Sequence, residues 1–131
     1  MRLNVRTRTR EELLDITGEV QRAVQELGLR NGVIHLWSLH TTCALTVNEG
    51  DDPDVAADIV RFLRGLVPKD GTFRHEEGNS DSHIKTSMFG PGLTLLVEDG
   101  ELVLGTWQHV FLAEWDGPRP RTLALIGVPG L

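Results

Sequence analysis

His40, His75 and His83 are the residues of this chain best equipped for chemistry, because each stands among polar neighbours that a core histidine does not require. His40 opens His40-Thr41-Thr42 at the end of an apolar run, and His75 and His83 bracket Glu76, Glu77, Gly78, Asn79, Ser80 and Asp81. Neutral imidazole is the commonest protein ligand for zinc, and a catalytic zinc site uses three protein ligands with one position left for water or substrate. Each histidine alone could be an ordinary structural residue. Their shared polar company leads to the expectation of one pocket in which His40, His75 and His83 hold a divalent metal, zinc in the first instance. Glu76, Glu77 and Asp81 are then placed to orient the rings through the second imidazole nitrogen.

Other residues could join such a pocket. Asn48-Glu49 follows the strand that begins after His40, so Glu49 reads either as a general base or as a capping acid for the helix beyond it. Lys85 is one of two lysines in a chain that otherwise uses arginine, which suggests a phosphate or leaving-group contact beside the alternative of a solvated side chain. Gly105-Thr106-Trp107-Gln108 and then Glu114, Asp116, Arg119 and Arg121 put an amide, carboxylates and guanidiniums around a hairpin. An arginine fork there could bind phosphate bidentately, or an Asp/Arg pair could be a subunit salt bridge. His35 and His109 lie within strand patterns and read as structural. Cys43, between Thr42 and Ala44, reads as a small strand residue and is given no catalytic part.

The elements that must position these residues follow from periodicity. Leu3, Val5 and Thr7 alternate with Asn4, Arg6 and Arg8 as in a half-buried strand. Leu13, Ile16, Val20, Ala23, Val24 and Leu27 recur at helical spacing, predicting an amphipathic helix over 11–27 that stops at Gly28. Asn31-Gly32 marks a turn, and strands are expected over 33–39 and 44–47. Asp52-Pro53 fits the cap and first turn of a second helix with Val55, Ile59, Phe62, Leu63 and Leu66 on its apolar face. Residues 68–81 have no apolar period and are expected to form a long polar loop, of the kind that is usually functional when it occurs inside a compact domain. A short helix is expected near 82–88. Strands over 93–97 and 102–104 flank Asp99-Gly100, a hairpin signal, and two more follow at 110–113 and 122–126. The sum is an α+β fold, one domain over 1–131, with a mostly antiparallel sheet folded into a sandwich and two principal helices. Several strands are apolar on both faces, so helices must cover both sides or the sheet must pack on another subunit.

A chain of 131 residues can bury about two-thirds of its unfolded surface, so a real core is expected. Hydrophobic residues at 40% and charged residues at 24% suit a soluble protein, and no apolar run approaches the ~20 residues that cross a bilayer. The N-terminus lacks the apolar stretch of a secretory signal and there is one cysteine, which together suggest the cytoplasm. The formal net charge of −6 disfavours nucleic acid, whose backbone attracts clustered Lys and Arg. Arg2, Arg6, Arg8 and Arg10 read as the solvated face of an edge strand, and the acids at 49, 51, 52, 54 and 58 as a helix N-terminus.

The motifs His40-Thr41-Thr42, Thr46-Val47-Asn48-Glu49, His75-Glu76-Glu77-Gly78-Asn79, His83-Ile84-Lys85, Gly90-Pro91, Gly105-Thr106-Trp107-Gln108 and Glu114-Trp115-Asp116-Gly117-Pro118-Arg119 together resemble the YjbQ-like family of secondary thiamine-phosphate synthases, over nearly the whole chain. The resemblance implies a small α+β sandwich assembled as a homotrimer, with a metal pocket close to subunit boundaries. It implies metal ligation by His40, His75 and His83, polar site residues at Asn48, Glu49, Asn79, Lys85, Gln108 and Glu114, and a weak thiamine-phosphate synthase activity. That activity joins hydroxymethylpyrimidine, delivered as its diphosphate, to hydroxyethylthiazole phosphate and releases pyrophosphate. Two positions depart from the family: Phe73 stands where members often carry tyrosine, and Gly92 where Gly-Pro-Ser is frequent, each removing a hydroxyl.

The leading expectation is thus a small phosphate-bearing substrate polarised by a metal on the three histidines, with Glu49 as acid/base and Lys85 or Arg119 at phosphate. The alternatives are metal-assisted hydrolysis of a small phosphate or acyl compound, and a non-catalytic trimer that binds a small anion.

Overall fold

In a computed structural model that describes residues 1–130, the chain forms eight strands and three helices. In order they are β1 (Arg2–Arg6), β2 (Glu12–Asp15), α1 (Thr17–Glu26), β3 (Gly32–Ser38), β4 (Cys43–Glu49), α2 (Pro53–Leu66), α3 (Ser80–Phe89), β5 (Gly92–Glu98), β6 (Glu101–Leu102), β7 (Gln108–Glu114) and β8 (Pro120–Pro129). The strands make a five-stranded sheet of order β1-β8-β3-β5-β6 and a three-stranded sheet of order β2-β7-β4, with every pairing antiparallel. This is the expected α+β sandwich.

Two apolar layers hold it together. The first lies between the sheets, where Ile34 and Leu36 of β3, Leu45 of β4, Val97 of β5, Val110 and Leu112 of β7 and Leu123 of β8 meet Ile16, Val20 and Val24 at α1. The second lies on the far side of the small sheet, where Ala44, Ala113 and Trp115 pack against Val60 and Leu63 of α2 and Phe89 of α3. β7 therefore has apolar layers on both faces, and Val110 to Trp115 are all buried. That accounts for one strand that reads as apolar on both sides. The five-stranded sheet is different: its outer face leaves Trp37, Leu96, Ile126 and Val128 exposed.

Two expected boundaries move. The first helix begins at Thr17, not at Glu11, because Glu12–Asp15 pairs with Glu114–Phe111 of β7 as a strand. Strand alternation sends Leu13 to the second layer and Leu14 to the first, which a helix could not do with adjacent residues. Asp15 then turns the chain, its carboxylate accepting from Thr17 N (3.0 Å) and Thr17 Oγ1 (2.7 Å). The other change is in α3: the short helix expected near 82–88 runs over Ser80–Phe89 and takes up the end of the expected polar loop. Its buried residues are Asp81, Ser82, Lys85 and Thr86, so its inward face carries no hydrophobic period for the sequence to display. The Asp99-Gly100 hairpin forms as expected, with φ of 50° and 79° at the two turn residues.

Candidate functional site

Three connections meet at one end of the sandwich and enclose a cleft of about 460 Å³. The β3–β4 connection brings His40, Thr41 and Thr42; the start of α3 and the loop before it bring Glu77, Asn79 and His83; the β7–β8 connection brings Asp116 and Arg119, and the start of β8 brings Arg121. At its base an ion pair is sealed from water. Glu114, the last residue of β7, is fully buried and receives Arg121 through Nε (2.8 Å) and Nη2. Thr7 Oγ1 donates to the same carboxylate at 2.7 Å, the Asp116 N–H at 3.0 Å, and Thr42 Oγ1 accepts from Arg121 Nη2 at 2.9 Å. Burial is the largest single influence and works to lower the Arg121 pKa, but the Glu114 hydrogen bond and the surrounding negative charge, Glu114 and Asp116 among it, together raise it, so the guanidinium stays charged. Two threonine hydroxyls and a backbone amide thus offset much of the cost of burying the pair.

His40 stands at the rim of this pair. Its Nε2 accepts the Thr122 backbone N–H at 2.9 Å. Burial first and the Arg121 charge second lower its pKa, so the ring is neutral near pH 7. An imidazole that accepts at Nε2 carries its proton on Nδ1, and His40 therefore offers a donor there and not a free lone pair. Across the cleft, Asn79 Nδ2 donates to Asp116 at 2.9 Å, while Asn79 Oδ1 is buried without a partner among the described residues. Arg119 donates to the Asp116 carbonyl (2.7 Å) and carboxylate (3.1 Å). His83 lies on the open side of α3, edge-on to His75 with ring centroids 5.4 Å apart, and His75 Nε2 is 3.6 Å from the exposed Glu77 carboxylate.

The structure does not gather every expected site residue here. Asn48, Glu49 and Gln108 lie at the opposite end of the three-stranded sheet, where Glu49 faces Gln108 across β4 and β7. Strand β4 is seven residues long and puts Glu49 roughly 20 Å from Cys43. Glu49 spends its carboxylate on the Asp51 and Asp52 N–H groups (2.7 and 2.9 Å), the capping alternative, while Asn48 and Gln108 close local turns through Glu49 N and Gly105 N. Within one chain Glu49 is no base for the cleft. Lys85 is neither a phosphate contact nor solvated: it is fully buried, its Nζ held by Glu11 (2.6 Å) and Asp81 (3.0 Å) over the Trp115 ring. Arg10 and Arg64 complete that network. Glu114 likewise meets Arg121 and Thr7, not the open cleft.

Three imidazoles have the donor chemistry of a zinc site, but their arrangement in one chain does not make one. Among the described residues no three His, Cys, Asp or Glu side chains are grouped to hold a metal, and the acceptor nitrogen of His40 is occupied by Thr122. No chemical step is routed through a metal here. Cys43 is buried beside Ser38 and its thiol is pushed up by burial, which leaves it unreactive.

Arg121 is the cleft residue that sequence reasoning left without an assignment. Its signal was the Arg119-Pro120-Arg121 spacing, which keeps two guanidiniums close together where the β7–β8 connection enters β8. His109 was read as an ordinary strand histidine, yet it joins Asp15 (2.6 Å) and Asp51 (2.8 Å) at the far end of the small sheet.

A family model described as UPF0047 protein YjbQ-like matches residues 1–128. The chain belongs to this family. It is 47% identical over 117 residues to the UPF0047 protein MJ1081 of Methanocaldococcus jannaschii, covering 89% of this chain and 85% of that one. It is 42% identical over 121 residues to YugU of Bacillus subtilis, covering 92% of each. Among solved structures, a YjbQ/UPF0047 family protein of Clostridium acetobutylicum superposes with a TM-score of 0.94 at 39% identity, covering 98% of this chain and 99% of that one. TT1486 of Thermus thermophilus does so at 0.92 and 44% identity, with the same coverage. The family relation and the sandwich fold agree.

Proposed function

We propose that this protein binds a small phosphate-bearing substrate in the His40–Arg121 cleft and is a transferase of the thiamine-phosphate synthase kind. The observation that carries this reading is the convergence, on one cleft, of two imidazoles and two guanidiniums from three separate connections. In the proposed reaction the thiazole nitrogen supplies the electron pair of the new C–N bond, and the C–O bond to pyrophosphate breaks with its pair leaving on oxygen. Charge grows on the leaving pyrophosphate, and fixed donors aimed at it lower the barrier. Arg119, Arg121 and the Nδ1–H of His40 are such donors, and the buried Glu114 pair keeps the base of the cleft from rearranging. The activity comes to this chain through its family resemblance, and the phosphate preference through the donors.

The test is to incubate the purified protein with both phosphorylated precursors and follow thiamine phosphate and pyrophosphate. Matched release of both products, lost in His40→Asn, supports the transferase. Release of phosphate without the coupled product favours the hydrolase reading, and stoichiometric binding without turnover favours a non-catalytic anion-binding trimer. A second reading is favoured by the approach of His75 to His83: a divalent metal, zinc first, taken by these two with His40 turned away from Thr122. Metal analysis of protein prepared without a histidine tag decides it. The proposal includes a homotrimer, supported by the bare apolar face of the five-stranded sheet, and a cytoplasmic setting, supported by one buried, unpaired thiol.

A further inference from the structure

The two guanidiniums of the cleft are mounted in the same way. Arg119 spends Nε and Nη2 on Asp116, and Arg121 spends Nε and Nη2 on Glu114 and Thr42. In both, Nη1 makes no hydrogen bond among the described residues. They differ in rigidity. The Arg121 side chain is 3% exposed against a fully buried carboxylate, whereas Arg119 is 53% exposed against a partly exposed one. Although Arg121 is so deeply set, it lines the cleft, and Nη1 is the one nitrogen of its guanidinium left without a partner among the described residues.

We infer that Arg121 is the anchoring donor for the ligand's phosphate group, with Glu114 as the residue that positions it; the inference rests on the phosphate reading above. A long side chain fixed by a bidentate pair has already given up its rotamer freedom, so a ligand that meets it loses little ordering entropy. Arg119 must be ordered on binding and gives less. The surroundings of Arg121 are drier, which strengthens a hydrogen bond to a charged oxygen. The ligand class follows from the directions of approach. Arg121 comes from β8, the His40 Nδ1–H from the β3–β4 connection and Arg119 from the β7–β8 connection. A tetrahedral phosphate offers oxygens in several directions, while a planar carboxylate offers two in one plane. Glu114 neutralises most of the Arg121 charge, so binding depends on directed hydrogen bonds and less on net attraction.

The experiment is calorimetric titration of the full-length protein with orthophosphate, pyrophosphate and phenyl phosphate, whose relative affinities separate free phosphate from an ester. Arg121→Lys keeps a cation for Glu114 but loses the fork, and it is expected to weaken binding about tenfold or more, while Arg119→Lys weakens it less than about threefold. If Arg119→Lys loses binding and Arg121→Lys binds as the wild type does, the inference is overturned and the phosphate cleft stands. If the wild type binds none of the three probes, both fall. Should Arg121→Lys not fold, arginine side-chain NMR of the wild type gives the answer. Pyrophosphate must then shift the Arg121 guanidinium signals more than those of Arg119, and the reverse order overturns the inference.

Discussion

A charged side chain in a protein interior persists only when its partners are fixed beside it, and Lys85 is the case in point. Its ammonium sits between Glu11 and Asp81, each of which has a second cation, Arg64 and Arg10. Lys85→Met takes one cation from two buried carboxylates and leaves Asp81 with Arg10 alone and Glu11 with Arg64 and the more distant Arg10, so chemical denaturation should show a loss of about 3 kcal/mol. Activity lost without any loss of stability would return Lys85 to the catalytic list. His109 gives a prediction of another kind. The Asp15 hydrogen bond first, and the Asp51 bond next, raise its pKa, so folding favours the protonated ring. Its contribution is complete below the unfolded value of about 6.5 and is lost as pH rises through the folded one. His40, whose pKa is lowered, works in the opposite sense, so the quantity to measure is the Tm difference between wild type and His109→Gln across pH. That difference should shrink as pH rises; a constant difference contradicts the clasp. At this scale His40, Asn79, His83 and Arg119 were legible as cleft residues, because their polar company survives in sequence. The partners of Lys85, Glu114 and Glu49 were not legible, because sequence shows that a residue is ionisable and does not show which neighbour has already taken its charge.

Among the elements, α3 was legible as a short helix near 82–88, while its full extent over Ser80–Phe89 and its inward face were not. It presents Asp81, Ser82, Lys85 and Thr86 inward, so its burial depends on ion pairs and on the Ser82 hydroxyl donating to the Trp115 carbonyl at 2.5 Å. A rule that looks for apolar periods finds no inward face on such a helix. β2 was hidden for the opposite reason, since its two leucines continue the helical spacing of α1 while serving different layers. The hairpin at Asp99-Gly100 and the helix after Asp52-Pro53 were plain because turn and cap chemistry is local: Asp52 accepts from Asp54 N at 2.9 Å and Pro53 opens the first turn. The entry to α2 also carries a prediction. A Cβ at Gly50 would lie 2.1 Å from His109 Cγ, so Gly50→Ala must push the ring out of its place between Asp15 and Asp51. Thermal melts of Gly50→Ala across pH should then lack the His109 component, as His109→Gln does. A Gly50→Ala protein with the wild-type pH profile would show that the ring does not hold these elements together.

For the whole molecule, the division of labour between the two sheets matters most. The three-stranded sheet is covered on both faces, by the opposing sheet and by α2 and α3, while the five-stranded sheet keeps one apolar face open with Trp37 at 55% and Ile126 at 62% exposure. If that face meets other copies, sedimentation should find a particle about three times the 14.5 kDa of the chain. Ile126→Glu should shift it toward monomer, because burying an unpaired carboxylate opposes association. A wild-type monomer would contradict the assembly. Among the described residues no helix is long and apolar enough to cross a membrane. The cleft opens at the end of the sandwich built from the β3–β4 and β7–β8 connections and α3. Its role as a phosphate site is the central claim, and a crystal structure of the protein soaked with pyrophosphate tests it most directly. The expected result is tetrahedral density within hydrogen-bonding reach of Arg121 Nη1, with His40 and Arg119 around it; density only at the opposite end, by Glu49 and Gln108, or none at saturating pyrophosphate, would contradict it.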